Sequence, residues 1–232
     1  VARNTTTTDW DKIFSGSEAD IILKLLEDIT LDKTFDVPAG KDVYLDLNGQ
    51  TITIDEKLAY AFKIIEGGTL TIDGDGAVEA TTPAPIMFYP YGDLVIESGT
   101  FIRHIPEGYN GSVNSMFMGT KPAGGWESTG VTINGGYFDS GYYSTGGQAT
   151  IIEDLLAGNV KLEESEDDIK KRGNSADANK TRKALKDNCM KMFNKSNNYF
   201  RVYGGTFVGA NPAWGDEGCM LPTTPQYLRP WS

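Results

Sequence analysis

Histidine and cysteine are scarce in this sequence. The 232 residues include one histidine, His104, and two cysteines, Cys189 and Cys219. A Ser-His-Asp triad would have to include His104, which has no Gly-x-Ser-x-Gly motif and is expected at the surface or in a loop. Neither cysteine has a Cys-x-x-Cys partner, and the two neither demand nor exclude a disulfide. We therefore expect no cofactor, no metal site and no catalytic triad.

Positive charge and long apolar runs are also lacking. The chain has 21 Lys and Arg against 32 Asp and Glu, a formal net charge of -11. Proteins bind nucleic acid by neutralising its phosphates with Lys and Arg, so we expect no nucleic-acid partner. No apolar run approaches the roughly 18 residues that cross a bilayer, so we expect no membrane insertion. Hydrophobic residues at 39% and charged residues at 23% are ordinary for a globular protein and exclude a disordered, collagen-like or coiled-coil chain.

The sequence is rich in glycine and aromatic residues, and it contains an internal repeat. It has 27 Gly, 11 Tyr and 10 Phe. Five short segments alternate apolar and other residues and then reach a glycine, a pattern typical of half-buried strands that end in tight turns. They cover residues 43–49, 70–74, 94–99, 131–135 and 200–204. After each turn we predict a second short strand, over residues 51–54, 77–78, 100–102, 137–138 and 206–208.

The spacing of the repeat predicts a parallel β-helix of about six coils. Leu47 lies 25 residues before Ile72, and Ile72 lies 24 residues before Ile96, which suits one coil for each step. The next steps, to Ile133 and then to Val202, are 37 and 69 residues long and suit coils that carry inserted loops. We expect these five residues to stack in one buried column.

We expect residues 1–213 to form a single all-β domain. Its first coil fits residues 21–31, although residues 21–26 also fit a helix that caps one end. Residues 151–195 interrupt the strand rhythm with a partly helical, charged arm of 10 Lys or Arg and 9 Asp or Glu. Residues 214–232 form an extended tail, because the prolines in it fix φ and remove hydrogen-bond donors.

The arm and the tail are predicted to make contacts in an assembly. Capping and apolar patterns predict one short helix after Thr150 and a second helix over Thr181–Phe193. The charged stretch between them is also typical of a merely solvated surface. The tail packs on its own β-helix or reaches onto a neighbour. The expected contact residues are Leu185, Met192, Phe193, Tyr227, Leu228 and Trp231.

A polar side chain follows each first strand and would join a column on the outside of the β-helix. The column is Asn48, Asp73, Glu97, Asn134 and Tyr203. Asp73 and Glu97, one coil apart, are the best carboxylate pair for a polysaccharide lyase or glycosidase. The alternative, which we favour, is that Asp and Asn begin the turns by bonding to nearby backbone. Residues 73–76 are too short a motif to predict a calcium site.

Aromatic side chains near turns and loops form a second candidate site, since sugar rings stack on aromatic rings. Packing in the core and aromatic ladders explain many of the same residues equally well. The residues are Phe88, Tyr89, Tyr91, Tyr109, Trp126, Tyr137, Tyr142, Tyr143 and Trp214.

Two parts of the repeat resemble a known family. Residues 41–52, together with residues 27–31, resemble the opening coils of pectate-lyase-like right-handed parallel β-helix domains. Residues 135–138 and 204–212 resemble the Gly-Gly-x-Phe coils of similar domains in gut-bacterial surface proteins and in phages that infect such bacteria. The resemblance therefore implies a right-handed β-helix.

The resemblance covers about residues 10–147 and 198–213, and it is more specific for fold than for function. It implies a non-enzymatic structural protein of a phage virion, such as a head or tail fibre or a decoration protein. The expected partners are further copies of this chain or other virion structural proteins. The alternative is a glycan-binding adhesin at a bacterial surface or outside the cell, and an enzyme that acts on polysaccharides is the third possibility.

Overall fold

The computed structural model describes residues 2–5, 10–118, 130–141, 193–194 and 200–208, and these residues form three parallel sheets. Strands are numbered in chain order. The first sheet has seven strands: β1 (Ala2–Thr5), β2 (Asp20–Leu25), β5 (Asp42–Asp46), β8 (Thr69–Asp73), β11 (Asp93–Ile96), β14 (Val131–Ile133) and β17 (Phe200–Val202).

The other two sheets follow the same order along the molecule. The second has six strands: β3 (Ile29–Leu31), β6 (Thr51–Ile54), β9 (Ala77–Ala80), β12 (Thr100–Arg103), β15 (Tyr137–Asp139) and β18 (Thr206–Val208). The third has five strands: β4 (Phe35–Val37), β7 (Tyr60–Ile64), β10 (Ile86–Pro90), β13 (Phe117–Met118) and β16 (Phe193–Asn194).

The chain visits the three sheets in turn, which makes it a β-solenoid. From β2 to β13 each strand pairs in parallel with the strand three places later, so successive passes stack as coils. The solenoid has about four turns, fewer than the six expected. The expectation counted β14 with β15 and β17 with β18 as complete coils. Only from β2 to β13 does the described chain pass through all three sheets without a gap.

One buried column runs through the first sheet, and its register corrects one prediction. Ile72, Ile96, Ile133 and Val202 are successive partners, as expected. The partner of Ile72 in β5 is Leu45, so the prediction of Leu47 was wrong by two residues. Leu47 is also fully buried, but it continues the apolar alternation beyond the end of β5 into the turn.

A short helix covers the N-terminal end of the core. Residues 20–25 form β2 with strictly alternating burial, so the alternative of a capping helix at residues 21–26 was wrong. The cap is α1 (Trp10–Phe14) instead, in which Trp10 and Phe14 are buried. Their rings lie 4.4 and 5.3 Å from the ring of Phe35 in β4, both edge to face. Aromatic packing therefore closes this end of the solenoid.

Phenylalanine rings stack along the inside of the solenoid in two columns. One column contains Phe101, Phe138 and Phe207 of the second sheet, with 4.9 Å between successive centroids and an interplanar angle of 8°. The other runs through the third sheet and includes Phe62 and Phe88, which are 5.4 Å apart. Because each ring contacts the next coil, the core is continuous along the axis.

The arm and the tail lie outside the described residues, except at one strand. Phe193, expected at the end of a helix over Thr181–Phe193, lies in β16, and β16 pairs with β13. That part of the helix prediction was wrong, because the residue continues the third sheet. The expected helix after Thr150, the other expected contact residues and both cysteines fall outside the described residues. They are Leu185, Met192, Tyr227, Leu228, Trp231, Cys189 and Cys219.

The domain limits at residues 213 and 214, and the bounds of the arm at residues 151–195, therefore stay predictions. In the described part of the chain, no helix is long and apolar enough to cross a membrane.

Candidate functional site

Three carboxylates lie side by side where successive strands of the first sheet end. Asp46 and Asp73 are register partners in β5 and β8. Glu97 follows β11, and its backbone N–H donates to the carbonyl of Ile72 at 2.9 Å, which places Glu97 one coil beyond Asp73. We call Asp46, Asp73 and Glu97 the carboxylate ladder. The structure brings Asp73 and Glu97 into adjacent coils, and it places Asp46, instead of Asn48, beside Asp73.

Asp73 is hydrogen-bonded to groups from three successive coils. Its Oδ1 accepts from the Ser98 hydroxyl at 2.5 Å and from the Gly74 backbone N–H at 2.8 Å. Its Oδ2 accepts from the hydroxyl of Tyr44, which lies in the preceding coil. Ser98 belongs to the following coil, so this single carboxylate links three coils. Such charge-assisted hydrogen bonds are stronger than those between neutral groups.

These contacts determine the protonation of the site. The Ser98 hydroxyl, then the Tyr44 hydroxyl and the Gly74 N–H, hold the pKa of Asp73 below its usual value. The hydrogen bond to Asp73, with some help from burial, raises the pKa of Tyr44 to about 12. Asp73 is therefore an ionised acceptor at neutral pH. A general acid needs the opposite shift, toward a raised pKa.

The other two members of the carboxylate ladder also have partners. Asp46 accepts from the backbone N–H of Asn48 at 2.8 Å and lies 3.5 Å from the ammonium of Lys24. Glu97 is exposed, and its Oε1 accepts from the carboxamide of Asn134 at 2.9 Å. Asp73 bonds to the Gly74 backbone at the start of a turn, as the favoured turn-forming interpretation expects. Asp46, which the sequence did not single out, bonds to the Asn48 backbone in a similar way. The catalytic use of Asp73 and Glu97, the less favoured alternative, stays untested.

Three half-buried tyrosines form a separate cluster on the third sheet. The rings of Tyr60 and Tyr89 are stacked with centroids 4.5 Å apart, and Tyr91 meets Tyr89 edge to face at 5.0 Å. The hydroxyls of Tyr89 and Tyr91 are 3.0 Å apart, and this hydrogen bond, with burial, raises the pKa of Tyr89 to about 12. Lys63 is the register partner of Tyr89, so an ammonium lies on the same sheet beside the tyrosine cluster.

Sequence reasoning found Tyr89 and Tyr91 but missed Tyr60, which precedes the site by one coil. The remaining aromatic candidates do not join this cluster. Phe88 is fully buried in the core. The Tyr109 hydroxyl donates to the carbonyl of Ser112 within its own loop, and Tyr137 is 38% exposed on the second sheet. The others lie outside the described residues: Trp126, Tyr142, Tyr143 and Trp214.

His104 is at the surface, as the sequence predicted. Its Nε2 is 3.2 Å from the Glu79 carboxylate, and both side chains are exposed. Within the ranges that the structure describes, no group of three or more His, Cys, Asp and Glu side chains is arranged to hold a metal ion.

Around Asp73, sequence reasoning missed its hydrogen-bond partners Ser98 and Tyr44, besides its register partner Asp46. Each is separated from Asp73 by a full coil, and only the register shows that they meet. Comparisons with protein-family models, curated proteins and solved structures gave no match to this chain.

Proposed function

We propose that this protein is a non-enzymatic structural component that acts in an assembly. The observation that carries this proposal is the position of Asp73, whose two oxygens are occupied by Tyr44, Ser98 and Gly74. By its place in the sequence, Asp73 was one of the two best candidates for a catalytic carboxylate. In the structure it joins successive coils instead. Hydrogen bonds between successive coils stiffen a solenoid, since its stability is a sum of nearest-neighbour contributions.

The setting that we propose is a phage virion, with a role as a head or tail fibre or as a decoration protein. This setting is supported by the resemblance of the Gly-Gly-x-Phe segments described above. The partners are further copies of this chain or other virion proteins. The nearly neutral arm at residues 151–195 would let two strongly acidic bodies approach with less repulsion than elsewhere.

A substrate screen tests the non-enzymatic part of this proposal. Pectin, alginate and bacterial capsule would be incubated with the wild-type chain and with Asp73→Asn, Glu97→Gln and Asp36→Asn. Asp36→Asn is the matched control, since it removes an exposed carboxylate from a different sheet. We expect no depolymerisation by any of the four proteins. Turnover by the wild type that is lost in Asp73→Asn or Glu97→Gln and kept in Asp36→Asn would show an enzyme.

Light scattering tests the assembly part. We expect the full chain to form a defined oligomer, and a chain ending at residue 213 to lose it. A full-length variant with Tyr227, Leu228 and Trp231 replaced by serine separates loss of contacts from loss of chain length. A stable monomer at high concentration for all three proteins would contradict a self-assembling role, and mixing with other virion proteins would then test the remaining partners.

Glycan binding is the second candidate function, and the tyrosine cluster of Tyr60, Tyr89 and Tyr91 supports it. Stacked rings, a phenolic hydroxyl pair and the neighbouring Lys63 together offer apolar faces and hydrogen-bonding groups. On a glycan array, binding that is lost in Tyr89→Ala and Tyr91→Ala but kept in Tyr137→Ala would favour an adhesin. If the wild type binds no glycan, the adhesin proposal fails and the structural role is the one that remains.

A further inference from the structure

The chain has three Asn-Gly pairs, and the structure holds them in different ways. They are Asn48 with Gly49, Asn110 with Gly111, and Asn134 with Gly135. In such a pair the glycine backbone nitrogen can attack the asparagine side-chain carbon, because glycine has no side chain to hinder the approach. The attack requires the asparagine side chain and the following peptide to reorient together. Hydrogen bonding and packing of these groups therefore decide the rate.

Asn48 is restrained in a tight turn. Its carboxamide donates to the carbonyl of Leu25 in the preceding coil at 2.8 Å. The turn is closed by a hydrogen bond of 2.8 Å from the Gln50 N–H to the Leu47 carbonyl. Attack by the Gly49 nitrogen would have to break the hydrogen bond from the Asn48 carboxamide to Leu25, and it would have to distort this turn.

Asn134 is restrained between coils. Its carboxamide donates to Glu97, and its backbone N–H donates to the carbonyl of Ile96 at 2.8 Å. The backbone around it is closely packed, since a Cβ on Gly135 would lie 2.5 Å from the carbonyl oxygen of Glu97. The peptide between Asn134 and Gly135 cannot rotate without disturbing the stacked coils.

Asn110 lies in a different environment, in the exposed loop between β12 and β13. Asn110, Gly111 and Ser112 are all exposed. Among the contacts of the described residues, no hydrogen bond restrains the Asn110 carboxamide. The nearest restraints both come from Tyr109. Its hydroxyl donates to the Ser112 carbonyl across the pair, in a bond that is exposed to water, and a Cβ on Gly111 would lie 2.5 Å from that same hydroxyl. The neighbour of Gly111 is thus the free end of a side chain, which can move aside, whereas the neighbour of Gly135 is fixed backbone. An exposed hydrogen bond of this kind contributes little, because water replaces it readily.

We propose that Asn110 is a site of spontaneous deamidation and that Asn48 and Asn134 are protected by the coils. The Gly111 nitrogen loses its proton and forms a bond to the Asn110 side-chain carbon, the bond from that carbon to Nδ2 breaks, and Nδ2 takes up a proton and leaves as ammonia. The resulting five-membered imide is opened by one water molecule at either carbonyl, which yields aspartate or isoaspartate. Each event adds one negative charge to the loop. A long-lived assembly would accumulate this charge with age.

The magnitude follows from the restraints that each protected pair must give up. At Asn48 these are the half-buried hydrogen bond to Leu25 and the closed turn. At Asn134 they are the backbone hydrogen bond to Ile96 and the close packing of Gly135 on Glu97. We expect the cost of giving them up to slow the attack about tenfold, which corresponds to about 1.4 kcal/mol of barrier. We expect Asn110 to react at least that much faster than either protected asparagine.

Peptide mapping by mass spectrometry tests this inference on the full chain after incubation in mildly alkaline buffer. We expect conversion at Asn110, unchanged peptides at Asn48 and Asn134, and a more acidic species on ion exchange that Asn110→Gln abolishes. In urea all three pairs should react at similar rates, which shows that the fold provides the selectivity. Equal rates at the three sites in the folded protein would overturn the inference. So would an Asn110 that reacts in urea but stays unchanged in the folded chain.

Discussion

At the scale of single residues, Asp73 and Tyr44 control each other's protonation. Tyr44 has a pKa of about 12 in the folded protein, against an ordinary value of 10.0, chiefly because its hydroxyl donates to Asp73. We expect Asp73→Asn to lower the pKa of Tyr44 toward 10.0. The absorbance of tyrosinate during an alkaline titration measures the pKa of Tyr44. The Tyr44→Phe variant shows which of the tyrosines with a high pKa is Tyr44. The hydrogen bond with Tyr91 raises the pKa of Tyr89 to about 12 as well; this value should be unaffected and serves as the internal control.

The same pair makes the free energy of unfolding fall at both low and high pH, because the two pKa values are shifted in opposite directions on folding. The pKa of Asp73 is lowered on folding, so its stabilisation is present above the ordinary value of 3.8 and is lost as the pH falls through the folded pKa. The pKa of Tyr44 is raised, so its stabilisation is present below 10.0 and is lost as the pH rises toward 12. Urea unfolding at acidic and alkaline pH should show both losses in the wild type and smaller losses in Asp73→Asn, in which the contribution of this pair is removed while other groups such as Tyr89 still titrate. Equal pH profiles for the two proteins would contradict the assignment.

Arg103 is a second residue whose importance is visible only in the structure. It is 1% exposed, and it donates to the carbonyls of Ser140 and Asn114. Burial lowers its pKa, and the nearby charge of Asp139 partly offsets this shift. The guanidinium thus joins β12 to two loops that the sequence leaves unrelated.

We expect Arg103→Ala to lower the free energy of unfolding by about 3 kcal/mol, because it removes the donor to the carbonyls of Ser140 and Asn114 and opens a cavity. Arg103→Lys should recover part of the loss, since an ammonium keeps the charge but lacks the planar fork. Urea denaturation measures both variants. An Arg103→Ala protein as stable as the wild type would show that water replaces these contacts.

At the scale of elements, the sequence predicted two of the three sheets and missed the third. Strands of the first and second sheets alternate strictly and meet at a turn with glycine, as at Gly74 and Gly99, whose φ values are 101° and 113°. The two longest strands of the third sheet do not alternate: β7 has two consecutive buried residues, and in β10 four of five residues are buried. Period-two patterns cannot identify such strands, because covering both faces removes the polar positions.

The candidate site was predictable to the same extent. The repeat placed Asp73 and Glu97 in adjacent coils because both follow the buried apolar column directly. Their partners were not predictable, since Tyr44 and Ser98 approach from other coils. The two-residue error at Leu47 has the same cause: alternation continues beyond β5, and only the pairing of Leu45 with Ile72 fixes the register.

Close stacking of the turns leads to a prediction about two corner glycines. A Cβ on Gly92 would lie 2.2 Å from the carbonyl oxygen of Gly68 and 2.5 Å from that of Ile65. Gly40 occupies the corresponding corner between β4 and β5, where a Cβ would meet nothing within 4 Å, but its φ is 74°. Overpacking against fixed backbone costs about 3 kcal/mol, whereas a left-handed alanine costs about 1 kcal/mol.

Gly92→Ala should therefore lose clearly more stability than Gly40→Ala in thermal or urea unfolding. The pair is matched, since both variants add one methyl group at a corner from the third sheet to the first. Equal losses would mean that the coils separate easily at this corner, which is incompatible with a solenoid stabilised by contact between neighbouring turns.

At the scale of the whole molecule, stability in a solenoid depends on position along the axis. Each coil contacts only its neighbours, so damage at an end remains local while damage in the middle separates two halves. Trp10 belongs to the cap and packs on Phe35, and Phe101 lies in the middle with rings on both sides. Both side chains are almost fully buried. Within the described residues the Trp10 indole N–H has no hydrogen-bond partner, so its contribution is one of packing alone.

Truncating either aromatic residue to alanine removes about 3 to 5 kcal/mol of packing. We expect Trp10→Ala to reduce hydrogen-exchange protection in β2, β3 and β4 while β8, β9 and β11 keep theirs, because the cap lies on one end only. Phe101→Ala should reduce protection in all of these strands together. The exposed first coil would also make Trp10→Ala more prone to aggregate, since an uncovered sheet edge pairs with other chains. Uniform loss of hydrogen-exchange protection in Trp10→Ala would show that the solenoid unfolds as a single cooperative unit. Loss of the cap would then not be confined to the first coil.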